Sequence, residues 1–194
     1  MSQHAPKFLL QNIYDDVKIS EVDAEMMKMS IAEASGNLGQ EIPFAYQTTA
    51  EELGATGDDF SFVGEIVVRG SLVYTGVCYR VSGKIKAVKA FACDRCLKEC
   101  QEEQNLSFEE DFHKAGEADD QETLVVDGDA IEITDLVRDT ILAAQSLSNL
   151  CRPDCKGLCP VCGADLNEGD CGCDRFVPDP RLAALQQLMN DKED

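Results

Sequence analysis

Apolar and polar positions alternate most clearly after Phe60. Phe62, Ile66 and Val68 keep a period of two and predict a strand ending at Arg69-Gly70. A second β-rich run covers residues 72–81 and carries Val73, Tyr74, Val77 and Tyr79. Ser82-Gly83 reads as a turn, after which Lys84-Ile85-Lys86-Ala87-Val88 alternates charge with apolar side chains before reaching Phe91. Strands in such close succession predict an antiparallel sheet, with the lysines on one face of its last strand. Residues 106–112 and 124–126 predict two further strands.

Helical spacing appears elsewhere. Residues 21–34, with Met26, Met27 and Met29, read as a helix that ends at the break Ser35-Gly36-Asn37-Leu38-Gly39. Thr134 is placed to cap a helix whose stripe is Leu136, Val137, Thr140, Ile141, Ala144 and Leu147, with Asp135 in the first turn. Asp179 and Pro180 open a last helix bearing Leu182, Leu185, Leu188 and Met189. The segment at 8–10 is apolar, and residues 115–122 form an acidic stretch with nothing to bury. The expected fold class is α+β: an antiparallel sheet or partly open barrel, with C-terminal helices and a small zinc-ribbon-like cysteine segment. Residues 1–59 form a weakly patterned opening, 60–148 a β-rich core, and 149–194 the cysteine segment with its helix.

Composition narrows the class. Apolar residues make up 44% of 194, enough for a core, and tryptophan is absent. No run approaches the roughly 18 apolar residues of a membrane span, and no signal-peptide pattern opens the chain. The expected location is the cytoplasm, with no membrane partner. In that reducing compartment ten cysteines point to metal rather than disulfides.

The formal net charge of −20 argues against a generic nucleic-acid binder, yet the charge is uneven. Residues 66–98 hold Arg69, Arg80, Lys84, Lys86, Lys89, Arg95 and Lys98 against Asp94 alone. Acids then dominate, from Glu102 and Glu103 through Glu109, Glu110 and Asp111 to Glu122. A dipolar molecule of this kind suits RNA on one face and a basic ribosomal protein on another. Equally, both faces suit simple solvation.

Six cysteines fall between 151 and 173: Cys151, Cys155, Cys159, Cys162, Cys171 and Cys173. Cys159-Pro160-Val161-Cys162-Gly163 has the form of a zinc knuckle, in which the glycine lets backbone N–H groups face the sulfurs. The set Cys155, Cys159, Cys162 and Cys173 completes a tetrahedron, with Cys151 and Cys171 as substitutes; six thiolates bridging two ions is the alternative. Cys93-Asp94-Arg95-Cys96 is a second Cys-x-x-Cys, read as half of another zinc site completed by Cys151 and Cys155, as a redox pair, or as idle thiols. Cys78 and Cys100 read as small core residues or bystanders. An all-cysteine site is closed to water and folds its segment rather than catalysing. His4 and His113 read as solvated. No phosphate loop, nucleophile elbow or His-Glu-x-x-His helix is present, so no enzyme is expected.

The segment ending in Cys93-Asp94-Arg95-Cys96-Leu97, the acids after it, and Ile131-Glu132-Ile133-Thr134-Asp135-Leu136-Val137-Arg138 resemble the YceD family, bacterial proteins linked to accumulation of large-subunit ribosomal RNA. The run from Cys151 to Asn167, Cys171-Gly172-Cys173, and the run from Asp179 to Leu185 resemble its cysteine-rich branch, with Leu147-Ser148 standing where Leu-Pro is expected. The resemblance implies a non-catalytic ribosome-biogenesis factor, with large-subunit ribosomal RNA, its precursor or a ribosomal protein as partner. Arg69, Arg80, Lys84, Lys86, Lys89 and Arg95 are the expected RNA contacts. The competing reading is a zinc- or redox-regulated chaperone, and a ribonuclease is a distant third.

Overall fold

The computed structural model describes residues 27–114, 124–126 and 128–175. They form two compact units: one takes the chain up to Phe91 together with Gln101–Leu147, the other Ala92–Cys100 together with the chain from Ser148. In order, the elements are β1 (Lys28–Ser30), α1 (Ala32–Ser35), β2 (Glu41–Thr48), α2 (Ala50–Leu53), β3 (Phe60–Phe62) and β4 (Ile66–Tyr74). Then follow β5 (Tyr79–Ala92), β6 (Glu99–His113), β7 (Leu124–Val125), β8 (Ala130–Glu132) and α3 (Thr134–Ala143).

A six-stranded sheet runs β2-β4-β5-β6-β7, with β3 also paired to β5, and β1 pairs with β8 in a small second sheet. The pairings β2 with β4, β4 with β5, β3 with β5 and β1 with β8 are antiparallel, whereas β7 lies parallel to the end of β6. The class is the α+β one expected, and the sheet does not close into a barrel. Period two does the sorting: β4 buries Ile66, Val68 and Leu72, and β5 buries Tyr79, Val81, Ile85 and Ala87. Ile131, Ile133, Val137 and Ile141 join them in one core, each such side chain contributing about 1.5–3 kcal/mol.

The turns fall elsewhere than the glycines suggested. β4 runs through Gly70 to Tyr74, and the reversal occupies residues 75–78, where Gly76 has φ 96° and Thr75 N–H donates to the Cys78 carbonyl at 2.9 Å. Gly70 and Gly83 instead face each other across β4 and β5. A Cβ on Gly70 would sit 2.1 Å from the Ser82 carbonyl oxygen and 2.6 Å from the Phe44 ring. Glycine is there because another backbone passes too close for a side chain, not because the chain turns.

The helix expected over 21–34 is, in its described part, β1 followed by the single turn of α1. Met27 and Met29 are buried and Lys28 is exposed, so the methionines follow a period of two, with Met29 opposite Ile131. β2 was not anticipated in the weakly patterned opening. Its Pro43 has no N–H to give, which an end strand of the sheet tolerates. α2 begins with a capping box: Glu52 N–H donates to Thr49 Oγ1 at 3.3 Å, and Thr49 N–H to the Glu52 carboxylate at 3.0 Å.

Thr134 does not cap α3. Its hydroxyl accepts the Met27 N–H at 2.8 Å, and Ile133 stands at the cap without a side-chain bond. The helix ends at Ala143, so of the expected stripe Val137 and Ile141 are buried, while Ala144 and Leu147 are exposed. The acidic stretch 115–122, His4, the segment 8–10 and the last helix lie outside the described residues.

Candidate metal centres and cationic face

In the second unit, eight cysteines gather into two sets of four: Cys93, Cys96, Cys151 and Cys155; and Cys159, Cys162, Cys171 and Cys173. Within each set the sulfurs all lie within 4.8 Å of one another. Cys93 and Cys155 sulfurs stand 3.9 Å apart, and Cys96 and Cys151 3.7 Å. Four sulfurs at about 2.3 Å from a tetrahedral zinc are about 3.8 Å from each other, so these two spacings match those such an ion sets. Cys155 thus stands with the Cys93 pair, and Cys171 joins Cys173 beside the knuckle.

Local backbone geometry builds both knuckles alike. Leu97 N–H donates to the Cys93 carbonyl at 2.8 Å, and Gly163 N–H to the Cys159 carbonyl at 2.8 Å. Leu97 and Gly163, each just after the second cysteine, have φ 59° and 75°. This left-handed residue folds the N–H groups back over the sulfurs. Backbone N–H groups of Cys151, Cys96 and Arg95 hold the Cys93 thiol down to about 6 against the cost of burial. Those of Cys162 and Val161 do the same for Cys159, also to about 6. The opposite members are forced up: Cys151 to about 12, by loss of solvent and then by the Cys155 and Cys96 thiols, and Cys173 to about 12 by Cys162 and Cys171. Four thiolates this close cannot all ionise unless a cation shares them. A thiophilic dication meets that need, and all four ligands are then used, leaving no open position.

The first set is braced on every side. The Asp94 carboxylate accepts Ser148 Oγ at 3.0 Å and Asn149 N–H at 2.7 Å, and Asp94 N–H donates to the Asn149 carbonyl at 2.8 Å. Arg95 donates to the Cys155 carbonyl at 2.8 Å, and Leu158 N–H returns to the Arg95 carbonyl at 3.0 Å. Asn167 offers its Nδ2 to the Cys155 sulfur at 3.5 Å while its Oδ1 takes Lys156 N–H at 2.9 Å. Lys98 pairs with Asp165 at 2.7 Å, and that contact, with the Asn167 N–H groups, holds the Asp165 carboxyl down to about 2. Asn167 and Asp165 gave no metal-ligand signal in the sequence, since supporting residues have no fixed spacing.

The six expected cationic contacts are placed differently from one another. Lys84 and Lys86 are exposed on β5, and Arg69 of β4 stands opposite Lys84. Arg80 is committed to Asp111 by two bonds of 2.8 Å. Lys89 is 1% exposed, its Nζ 5.1 Å from the Phe60 ring and 5.4 Å from the Phe91 ring. Arg95 belongs to the second unit, bonded to Cys155 as above. Cys78 is buried with its sulfur 3.2 Å from Thr75 Oγ1, Cys100 is half-buried, and neither joins a quartet. His113 is half-buried at the end of β6. Among the described residues no helix is long and apolar enough to cross a membrane.

Residues 81–189 match the family model described as Large ribosomal RNA subunit accumulation protein YceD. An uncharacterized protein of Mycobacterium tuberculosis is 31% identical over 120 residues, 59% of this chain and 57% of that protein, and one of Mycobacterium bovis matches to the same extent. The large ribosomal RNA subunit accumulation protein YCED homolog 1, chloroplastic, of Arabidopsis thaliana is 35% identical over 66 residues, 32% of this chain and 21% of that protein. The match therefore spans little more than half the length of the mycobacterial relatives. No solved structure matches.

Proposed function

The chain belongs to the YceD family, and on that premise we propose that it is a non-catalytic binding factor supporting accumulation or maturation of large-subunit ribosomal RNA. The observation that carries this reading is the family match itself, which takes in most of β5 and all eight clustered cysteines. Lys84 and Lys86, with Arg69 across the ladder, are the contacts for RNA phosphates. Positive side chains on an exposed strand face offer charge without base selectivity, so they position RNA rather than read it. The acids of β6 suit a basic ribosomal protein, and the cytoplasm is the place of action.

The metal is zinc. An all-thiolate tetrahedral donor set favours that ion, and its closed shell makes the role structural. No water remains to be activated, which accords with binding rather than hydrolysis.

The test is made in the native host. Deleting the gene should lower large-subunit ribosomal RNA relative to the small-subunit species, and the wild-type gene should restore it. An unchanged ratio in the deletion strain would sink the proposal.

A further inference from the structure

The two quartets differ in enclosure. In the first, Cys93, Cys96 and Cys155 are 0, 5 and 2% exposed, Leu150 and Leu158 pack against them, and Cys151 alone is exposed. The Cys155 sulfur also receives the Asn167 amide. In the second, only Cys159 is buried; Cys162 is exposed, and Cys171 and Cys173 are half-exposed. Val161, inside that knuckle, is 56% exposed. The two sets share no sulfur, so each closes its own tetrahedron.

We propose that the quartets are two independent zinc sites of unequal exchange. Cys93, Cys96, Cys151 and Cys155 keep a slow, structural ion, while Cys159, Cys162, Cys171 and Cys173 hold a solvent-open ion that exchanges with soft cations and chelators. This rests on the zinc reading above and goes beyond it in stoichiometry and in hierarchy. Ligand exchange needs an incoming thiol, chelator or cation to reach a sulfur, and three sulfur-bearing residues of the second set offer that access against Cys151 alone in the first. The outer-shell brace on Cys155 works the other way, since such partners change metal affinity by about 10–100-fold.

The full chain, purified without chelator, should contain two zinc ions. Challenge with a chelating zinc indicator should release one ion at least ~10-fold faster than the other. Cys162→Ser/Cys173→Ser should lack the fast ion and keep the slow one. Titration of the wild-type protein with cadmium should displace one zinc at the first equivalent, with a thiolate charge-transfer band appearing in step. This last measurement needs no variant that risks misfolding. Release in a single phase, or loss of both ions from the double variant, overturns the unequal, independent sites. Absence of any zinc from the wild-type chain overturns the zinc reading itself, so the two failures are told apart.

Discussion

Leu97 occupies a backbone conformation, φ 59°, that costs an L-residue about 1–2 kcal/mol. Its counterpart in the other knuckle is Gly163, for which that cost vanishes. Leu97 is 67% exposed, so its side chain gives little packing in return. Leu97→Gly should therefore raise stability by about 0.5 kcal/mol once glycine's extra chain entropy is subtracted. Denaturant unfolding of the zinc-loaded protein reads this, and a loss above about 1 kcal/mol would show that the leucine packs. The Gly163 knuckle was legible because a glycine follows its cysteine pair; leucine carries no such signal. Sequence named all eight clustered cysteines but left their grouping open, because Cys151 and Cys155 adjoin the Cys159 knuckle in the chain, and only the tertiary path brings them to Cys96 and Cys93, 55 and 62 positions away. Lys89 is the opposite case. It lies an odd number of positions from both Lys84 and Lys86, so strand periodicity places it on the other, inward face. Lys89→Glu should cost on the order of 3 kcal/mol by putting a carboxylate between Phe60 and Phe91, seen as a lowered unfolding midpoint.

Among the elements, the β4–β5 ladder shows how a turn signal misleads. Arg69-Gly70 and Ser82-Gly83 look like strand ends, yet they are one cross-strand meeting point. The actual reversal at Gly76 sits inside a stretch rich in β-formers. Gly70→Val should destabilise the sheet by about 3 kcal/mol, since a Cβ at 2.1 Å from a carbonyl oxygen forces the strands apart. Equal stability of that variant by thermal melting would show that the strands can separate without loss. Between β5 and β6, Arg80 lowers the Asp111 carboxyl below its usual 3.8. A carboxylate depressed on folding stabilises above its ordinary value, and the contribution fades as acid protonates the folded form. Being largely solvent-screened, the pair contributes little. Asp111→Asn should flatten the stability profile below pH ~4 and leave it unchanged in shape at neutral pH. The alternating strands of this sheet were readable because each buries one face; β1 and α1 were not, because three methionines in four positions fit either period.

For the molecule as a whole, a formal charge of −20 opposes approach to any polyanion, so an RNA contact must rest on a few local cations and be sensitive to salt. Lys84→Glu/Lys86→Glu should weaken retention of large-subunit ribosomal RNA transcripts and reduce the slope of log affinity against log salt by about 2. An unchanged slope would show that this face is idle. The division into two units was the least legible feature, since the loop from Ala92 to Cys100 interrupts two neighbouring strands to join a segment far along the chain. Nothing in local propensity marks such a detour, and only the Cys93-Cys96 spacing hints at it.

That detour sets a clock on synthesis. Cys93 and Cys155 are 62 positions apart, and ribosomes add about 5–20 residues per second. The early thiols of the first quartet therefore emerge roughly 3–12 s before their last partner exists. Throughout that interval a nascent chain presents an unfinished pair of sulfurs to every metal and oxidant in reach. Only the arrival of Cys155 closes the ring.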